Sequence, residues 1–270
     1  MGSIRATIIL TVFLLSIVVL GPFQAIIVFG RIRPLYGVIP LIFHRFVTRV
    51  LFGMRITVVG KPARPSKKKG PVLLASNHNS WMDITVLSAV TKVSFVAKAE
   101  VETWPLFGWL AKLQRTIFVK RDARAQTAHQ TAELLKRLER GDRLVLFPEG
   151  TSSDGNKVLP FNSSLFGVAQ LAEMKPGMKS LRVQPVSISY QKLHGLPMGR
   201  YYRPFYAWYG EMELAPHLWR GLQLGPIDVV VEFHEPITLA DTGNRKKLAL
   251  LARNRVARGM ERALVNRADI

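Results

Sequence analysis

A histidine and a carboxylate stand at a spacing that suits proton transfer. They are His78 and Asp83, inside the run Ser76, Asn77, His78, Asn79, Ser80, Trp81, Met82, Asp83. Imidazole, with an unperturbed pKa of about 6.5, can take a proton from an alcohol near neutrality. A carboxylate bonded to the other ring nitrogen fixes the tautomer and stabilises the imidazolium, as in hydrolase triads. Geometry restricts how the two can meet. On a helix, five residues turn roughly 140° beyond a full revolution, so the side chains would point apart. They converge only if His78 lies in a loop and Asp83 in the first turn of a helix, and Ser80 is a good N-cap for such a helix. A plainer reading competes. Ser80-x-x-Asp83 also resembles a capping box, although Glu or Gln is preferred at its last position. Asp83 would then only start a helix, and His78 would be a loop residue with its bonds satisfied.

The second informative stretch is Phe147, Pro148, Glu149, Gly150, Thr151, Ser152, Ser153, Asp154, Gly155, directly after the apolar run Leu144 to Phe147. Such a polar loop punctuated by glycine offers backbone and hydroxyl donors to a phosphate or a developing oxyanion. By itself it could equally be an ordinary turn. The chain has no cysteine, which excludes disulfides, thiolate metal sites and a cysteine nucleophile. It also lacks a Gly-x-Ser-x-Gly nucleophile elbow. His44, His129, His194, His217 and His234 show no metal-ligand spacing and read as packing or surface residues.

These stretches sit in an alternation of strand and helix patterns. Short apolar runs at Val72 to Ala75, Val93 to Ala97, Thr116 to Val119, Leu144 to Phe147, Val183 to Ser189 and Ile227 to Phe233 predict strands. Helical patterns cover Trp81 to Val90, Gln126 to Arg140, Ser164 to Met174 and Lys246 to Val265, the second ending at Gly141. Several strands are continuously apolar, which implies burial on both faces. The expected fold is α/β, a mostly parallel or mixed sheet flanked by helices. His78 then falls at the C-terminal end of a buried strand, where open α/β sheets meet their substrates.

The N-terminal end has a different character. Residues Ala6 to Gly30 carry no charge, a length that suffices to span a bilayer, with Gly21 and Pro22 interrupting the run. A retained membrane helix, straight, kinked or re-entrant, fits better than a cleaved signal, because the basic n-region is only Arg5 and no small-x-small site follows. Arg31, Arg33, Arg45, Arg49 and Arg55 follow the run, which places the body on the cytoplasmic face of the inner membrane. Leu35 to Met54 mixes apolar residues with arginines and reads as an interfacial amphipathic helix whose arginines reach lipid phosphates. The expected division is a membrane anchor over 1–56 and a catalytic domain over 57–270, joined through the basic connector Lys61 to Gly70. The net charge of +20 favours anionic partners: lipid headgroups, a negatively charged soluble donor, or nucleic acid. Beside an apolar helix, and with no nucleic-acid-binding motif in view, lipid is preferred to nucleic acid. Seven aromatic residues lie between Tyr201 and Trp219, with Arg200, Arg203 and Arg220 among them. They read either as a small aromatic core or as an interfacial patch.

Taken together the motifs resemble those of the lysophosphatidic-acid-acyltransferase family of glycerolipid acyltransferases. Asn77, His78 and Asp83 match its N-H-x-x-x-x-D motif, and Phe147 to Thr151 match F-P-E-G-T. Phe118 and Arg121 match the second motif, and Val183 to Ile188, through Pro185, match the fourth. The resemblance implies direct acyl transfer to a lysolipid hydroxyl with acyl carrier protein or coenzyme A thioester as co-substrate, and no cofactor or metal. It makes His78 the general base and Asp83 its orienting partner. Glu149, Gly150 and Thr151 would form the acceptor site, with Arg121 beside the anionic head. Two departures stand out: Ser152 occupies a position usually held by Arg, and Arg115 one usually held by Gly. The phosphate contact is then either relocated, with Arg115 as a further contact, or the acceptor is no glycerol phosphate. The wording around Glu149 and Arg115 is similar to a branch that acylates lyso-ornithine lipid. Lysophosphatidate, acylated to phosphatidic acid, is therefore the expected acceptor, with lyso-ornithine lipid as its close rival.

Overall fold

The computed structural model describes residues 2–120 and 124–265. Its helices are α1 (Gly2–Phe29), α2 (Val38–Phe46), α3 (Met82–Val90), α4 (Phe107–Leu113), α5 (Arg124–Glu139), α6 (Gly167–Glu173), α7 (Gly199–Tyr202), α8 (Leu214–Gln223) and α9 (Arg245–Val265). Its strands are β1 (Arg55–Val59), β2 (Val72–Ser76), β3 (Ser94–Lys98), β4 (Ile117–Val119), β5 (Leu144–Leu146), β6 (Arg182–Leu193), β7 (Leu196–Pro197) and β8 (Ile227–Phe233).

The strands form one mixed sheet in the order β1-β8-β6-β2-β5-β3-β4, with β7 paired to β6. β2 is parallel to both its neighbours, β5 and β6, and all five of its residues are buried. That explains its unbroken apolar run, since a central parallel strand is covered on both faces. Only β6 with β8 and β6 with β7 pair antiparallel among the described strands. Alternate residues of each strand feed two cores. Val72, Leu74, Phe95, Val186, Ile188 and Tyr190 pack beneath α1, α2 and α3. Leu73, Ala75, Val96, Leu144 and Val183 pack with residues of α5, α6 and α9. The result is the three-layer α/β arrangement that the alternation of patterns predicts.

β1, α4 and α8 have no counterpart among the expected elements. β1 is half exposed at the sheet edge, and α4 has only seven residues, too few to show a helical period.

The N-terminal helices are more tightly joined to the body than the sequence suggests. α1 is the one helix among the described residues long and apolar enough to cross a bilayer, and Pro22 lies within it without ending it. Yet Ala6, Ile9 and Ile17 belong to the same core as β2 and β3, so stripping α1 away would uncover that core. Arg5 bonds the carbonyls of Leu222 and Leu224 at the end of α8, and Gln24 bonds the carbonyl of Leu113, the last residue of α4. At Gly21 the ring of Trp109 comes so close that a Cβ would lie 2.8 Å from its Cη2. The opposite face of α1 shows Ile4, Ile8, Leu15, Val18, Phe23 and Ile26 to the outside. A broad apolar face on a helix held lengthwise against the body suits association with a membrane surface.

The stretch expected as one amphipathic helix from Leu35 to Met54 is shorter and differently employed. α2 ends at Phe46 and continues as a single π turn over Val47–Leu51. Phe43, Val47 and Leu51 turn inward against the core, and Arg45 donates from Nε to the Ala89 carbonyl at 2.9 Å. The end of α3 thus occupies a guanidinium expected to reach lipid phosphate, because an unpaired helix carbonyl is an available acceptor.

Candidate active site

β2 ends at Ser76, and the next side chain continues its ladder in place of the backbone. The Asn77 amide accepts from Ile188 N–H at 2.8 Å and donates to the Ile188 carbonyl at 2.9 Å. A side-chain amide thereby imitates a peptide unit, and the main chain is free to turn out of the sheet at His78. α3 begins four residues later.

Asp83 lies in the first turn of α3 and is fully buried. Its Oδ2 faces His78 Nδ1 at 2.8 Å and accepts from the backbone N–H of Asn79 at 2.6 Å and of Ser80 at 2.9 Å. Its Oδ1 accepts from the Tyr190 hydroxyl at 2.8 Å. The loop-and-first-turn placement required for His78 and Asp83 to meet is therefore the one adopted. Only half of the capping box forms: the Asp83 carboxylate reaches back to the Ser80 amide, while the Ser80 hydroxyl is buried without a partner. A carboxylate with four donors around it is acceptor only, so the hydrogen on His78 sits on Nδ1 and Nε2 is free to take a proton.

The second loop holds the first in place. Gly150 has φ +75°, a left-handed conformation that costs glycine nothing, and its N–H donates to the Phe147 carbonyl at 3.1 Å. This turn aims Glu149 back at the His78 loop. Glu149 Oε1 accepts from His78 N–H at 2.9 Å, and Oε2 accepts from Leu159 N–H at 3.0 Å. In return Ser153 N–H donates to the His78 carbonyl at 2.8 Å. Burial pushes the Glu149 carboxyl up to about 7, helped by the nearby Asp83 charge, against the lowering effect of its two backbone bonds. Burial, followed by the charge of Asp83, raises the Tyr190 hydroxyl well above 10, so it stays a donor. The Phe147 ring stacks on the His78 ring, with centroids 4.1 Å apart, and Phe95 stacks behind it at 6.1 Å.

The site residues named from sequence divide into three groups. His78, Asp83 and Glu149 are brought together, with Gly150 shaping the turn and Thr151 exposed just beyond it. Arg115 is not brought to them. It precedes β4, while Asp142 precedes β5, and the two form a bidentate pair at 3.2 and 3.0 Å. Both therefore lie at the N-terminal edge of parallel strands, whereas His78 follows the C-terminal end of β2. Arg137 shares the same Asp142, and the Arg115 guanidinium stands 3.8 Å from the Tyr36 ring centroid. Arg115 thus ties the N-terminal segment to the sheet. Arg121 lies outside the described residues. Tyr190 was missed, although the period-two face of β6 that carries Val186 and Ile188 also carries it.

Beside this centre opens a cavity of about 780 Å³. Phe13, Phe43, Trp81, Ile84, Phe95 and Trp104 are among the residues that line it. Trp81 and Phe95 mark the end nearest His78. The space is almost wholly apolar and walled by α1, α2, α4 and α8. The aromatic stretch after β6 closes the other side of the loops: Trp208 N–H donates to the Asn79 carbonyl at 2.8 Å, and the Ser152 hydroxyl bonds the Trp208 carbonyl.

The family model described as Acyltransferase matches residues 55–189. A lyso-ornithine lipid O-acyltransferase of Brucella abortus is 52% identical over 85% of this chain and 84% of its own length. One of Rhizobium meliloti is 42% identical over 93% of this chain and 84% of its own. A 1-acyl-sn-glycerol-3-phosphate acyltransferase of Neisseria gonorrhoeae is 32% identical, covering 78% of this chain and 76% of its own. Among solved structures, the 1-acyl-sn-glycerophosphate acyltransferase of Thermotoga maritima superposes with a TM-score of 0.65 over 97% of both chains at 23% identity. At that identity the likeness speaks for the fold.

Proposed function

From the premise that the chain belongs to the acyltransferase family, we propose that it transfers a fatty acyl group from a thioester to the free hydroxyl of lyso-ornithine lipid. The observation that carries the chemistry is the 2.8 Å bond between His78 and a buried Asp83, at the C-terminal end of the central strand and next to an apolar cavity. The lipid hydroxyl gives its proton to His78 Nε2 as its oxygen attacks the thioester carbonyl carbon. The C–O bond forms, the C–S bond breaks, and the departing thiolate takes the proton from the imidazolium. Asp83, held by two amides and Tyr190, offsets the charge of that imidazolium. Glu149 acts on the His78 backbone as a positioning residue. The acyl chain lies in the 780 Å³ cavity, a volume in the range of small-ligand sites.

Two observations favour lyso-ornithine lipid over lysophosphatidate as acceptor. Relatives named for the former are 52% and 42% identical, against 32% for the latter. Ser152 also stands where the resembled motif usually carries an arginine, and its hydroxyl is spent on the Trp208 carbonyl. The donor is a soluble thioester of acyl carrier protein or coenzyme A. The apolar outer face of α1 rests in the cytoplasmic leaflet, on the side marked by Arg31, Arg33 and Arg49.

The test is incubation of the purified protein with each thioester and each lysolipid, with products read by mass spectrometry. Acylated ornithine lipid is the expected product. Phosphatidic acid alone would shift the reading to lysophosphatidate, and no product from either acceptor would end it.

A further inference from the structure

The cations at the N-terminal edge of the sheet are unevenly supplied with partners. Arg115 and Arg137 share Asp142. The guanidinium of Arg143, the next residue, forms no hydrogen bond or ion pair among the described residues, although it is half-buried. Ser94 N–H donates to the Arg143 carbonyl at 3.0 Å, so Arg143 extends the β5 ladder by one residue. Leu144 and Val183 face the core beneath α5, α6 and α9, so Arg143 and Arg182, each one residue earlier, turn to the other face. There Val72 lies between them in register.

The connector from Lys61 to Gly70 crosses the same edge. Arg182 Nη2 donates to the carbonyls of Arg64 at 2.7 Å and Gly70 at 3.2 Å, and two backbone bonds between Ser66 and Gly70 close the turn. Lys67, Lys68 and Lys69 stand exposed at its tip. Arg64 is held close to Arg143, and its guanidinium also bonds nothing among the described residues. Burial, and after it the charge of Arg64, keeps the Arg143 pKa below its ordinary value, and no carboxylate opposes them. None is near in sequence either. No acidic residue precedes Asp83, and none lies between Glu173 and Glu211.

Two neighbouring guanidiniums repel, and a half-buried one has lost part of its hydration. An anion between them turns the repulsion into attraction and offsets the lost water. Guanidinium presents paired N–H donors whose fork matches the oxygens of a phosphate. We propose that Arg143 and Arg64 form an anion site for a phosphate group, carried by an anionic lipid or free in solution. Arg182 positions Arg64 through its backbone, and the three lysines raise the local potential. The site serves neither reacting molecule. The five residues of β2, about 17 Å, separate it from the His78 loop, and α3 covers the face between. It therefore stands independently of the acyl-transfer reading.

The experiment compares full-length wild type with Arg143→Gln, Arg64→Gln and Arg258→Gln. The last removes an equal charge from the exposed side of α9, on the other face of the sheet. Melting curves are recorded in neutral detergent, in sodium phosphate and in sodium chloride of the same ionic strength. Partition is measured onto vesicles of phosphatidylcholine, with and without phosphatidylglycerol. If free phosphate is the ligand, ten times its dissociation constant should raise the wild-type Tm by about 3 °C. Arg143→Gln and Arg64→Gln should lose that rise, and Arg258→Gln should keep it. If a lipid phosphate is the ligand, the first two variants should bind anionic vesicles about fivefold more weakly than Arg258→Gln, and neutral vesicles equally well. Either pattern supports the site and identifies its source. Arg64 is exposed and its side chain bonds nothing, so Arg64→Gln reports even where Arg143→Gln does not fold. The proposal is overturned if Arg64→Gln, or a folded Arg143→Gln, matches Arg258→Gln in both assays.

Discussion

Asp83→Asn isolates the charge of the catalytic pair from its geometry. The carboxylate is fully buried and accepts from two backbone amides, from His78 and from Tyr190. An asparagine oxygen at the Oδ2 position keeps both amides and the His78 Nδ1 hydrogen. Its NH2 group falls opposite the Tyr190 hydroxyl, which can rotate from donor to acceptor. The fold should survive, with a loss of about 1–2 kcal/mol for the weakened bonds. The charge is not replaced. A carboxylate whose charge centre lies about 4 Å from an imidazolium is worth about 4 kcal/mol at an effective dielectric constant of 20. Part of that is already felt by the neutral, polarised ring, so about 3–4 kcal/mol remains as transition-state stabilisation. This corresponds to a fall in kcat of the order of 10²–10³, with KM for the lysolipid little changed. The assay is steady-state acyl transfer from thioester to micellar lysolipid, paired with a melting curve to show that the variant is folded. A folded Asp83→Asn protein working within threefold of wild type would refute the role given to the carboxylate.

His78→Ala removes the base outright and should cost on the order of a hundredfold or more in kcat, with vesicle binding unchanged in a sedimentation assay. Arg115→Ala should lower stability by about 1–2 kcal/mol, read from the denaturation midpoint, because Asp142 and the Tyr36 ring lose their partner, while KM for the lysolipid stays the same. Glu149 should make the protein less stable as pH rises. Its folded pKa of about 7 lies above the ordinary 4.5, so its contribution is complete below pH 4.5 and is lost as pH climbs through 7. The span is on the order of 3 kcal/mol, and the Tm difference between wild type and Glu149→Gln across that range measures it. Leu15→Glu with Val18→Glu, on the outer face of α1, should weaken partition onto lipid vesicles at least tenfold without lowering Tm, since both residues are more than half exposed.

Much of this protein is written locally. The unbroken apolar run of β2, the helical period after Trp81 and the spacing of His78 and Asp83 need only a few consecutive residues to be read. Those residues also limit the pair to one way of touching, with the histidine in a loop and the aspartate in a first helical turn, but they leave open whether the two touch at all. The charge-free run of α1 likewise declares an affinity for lipid by composition alone. Tertiary structure decided whatever depends on partners far apart in the chain. Tyr190 reaches Asp83 across 107 positions, and Glu149 holds the His78 amide across 71. Neither contact leaves a mark in sequence beyond the residue type. Arg115 resembled a site residue until strand order placed it at the opposite edge of the sheet, paired with Asp142. The cavity belongs to no single segment, since its walls come from separate helices whose distance from one another only packing sets. Periodicity records which face of an element is buried. What lies against that face is decided by long-range contacts, and those are formed only when the chain closes on itself.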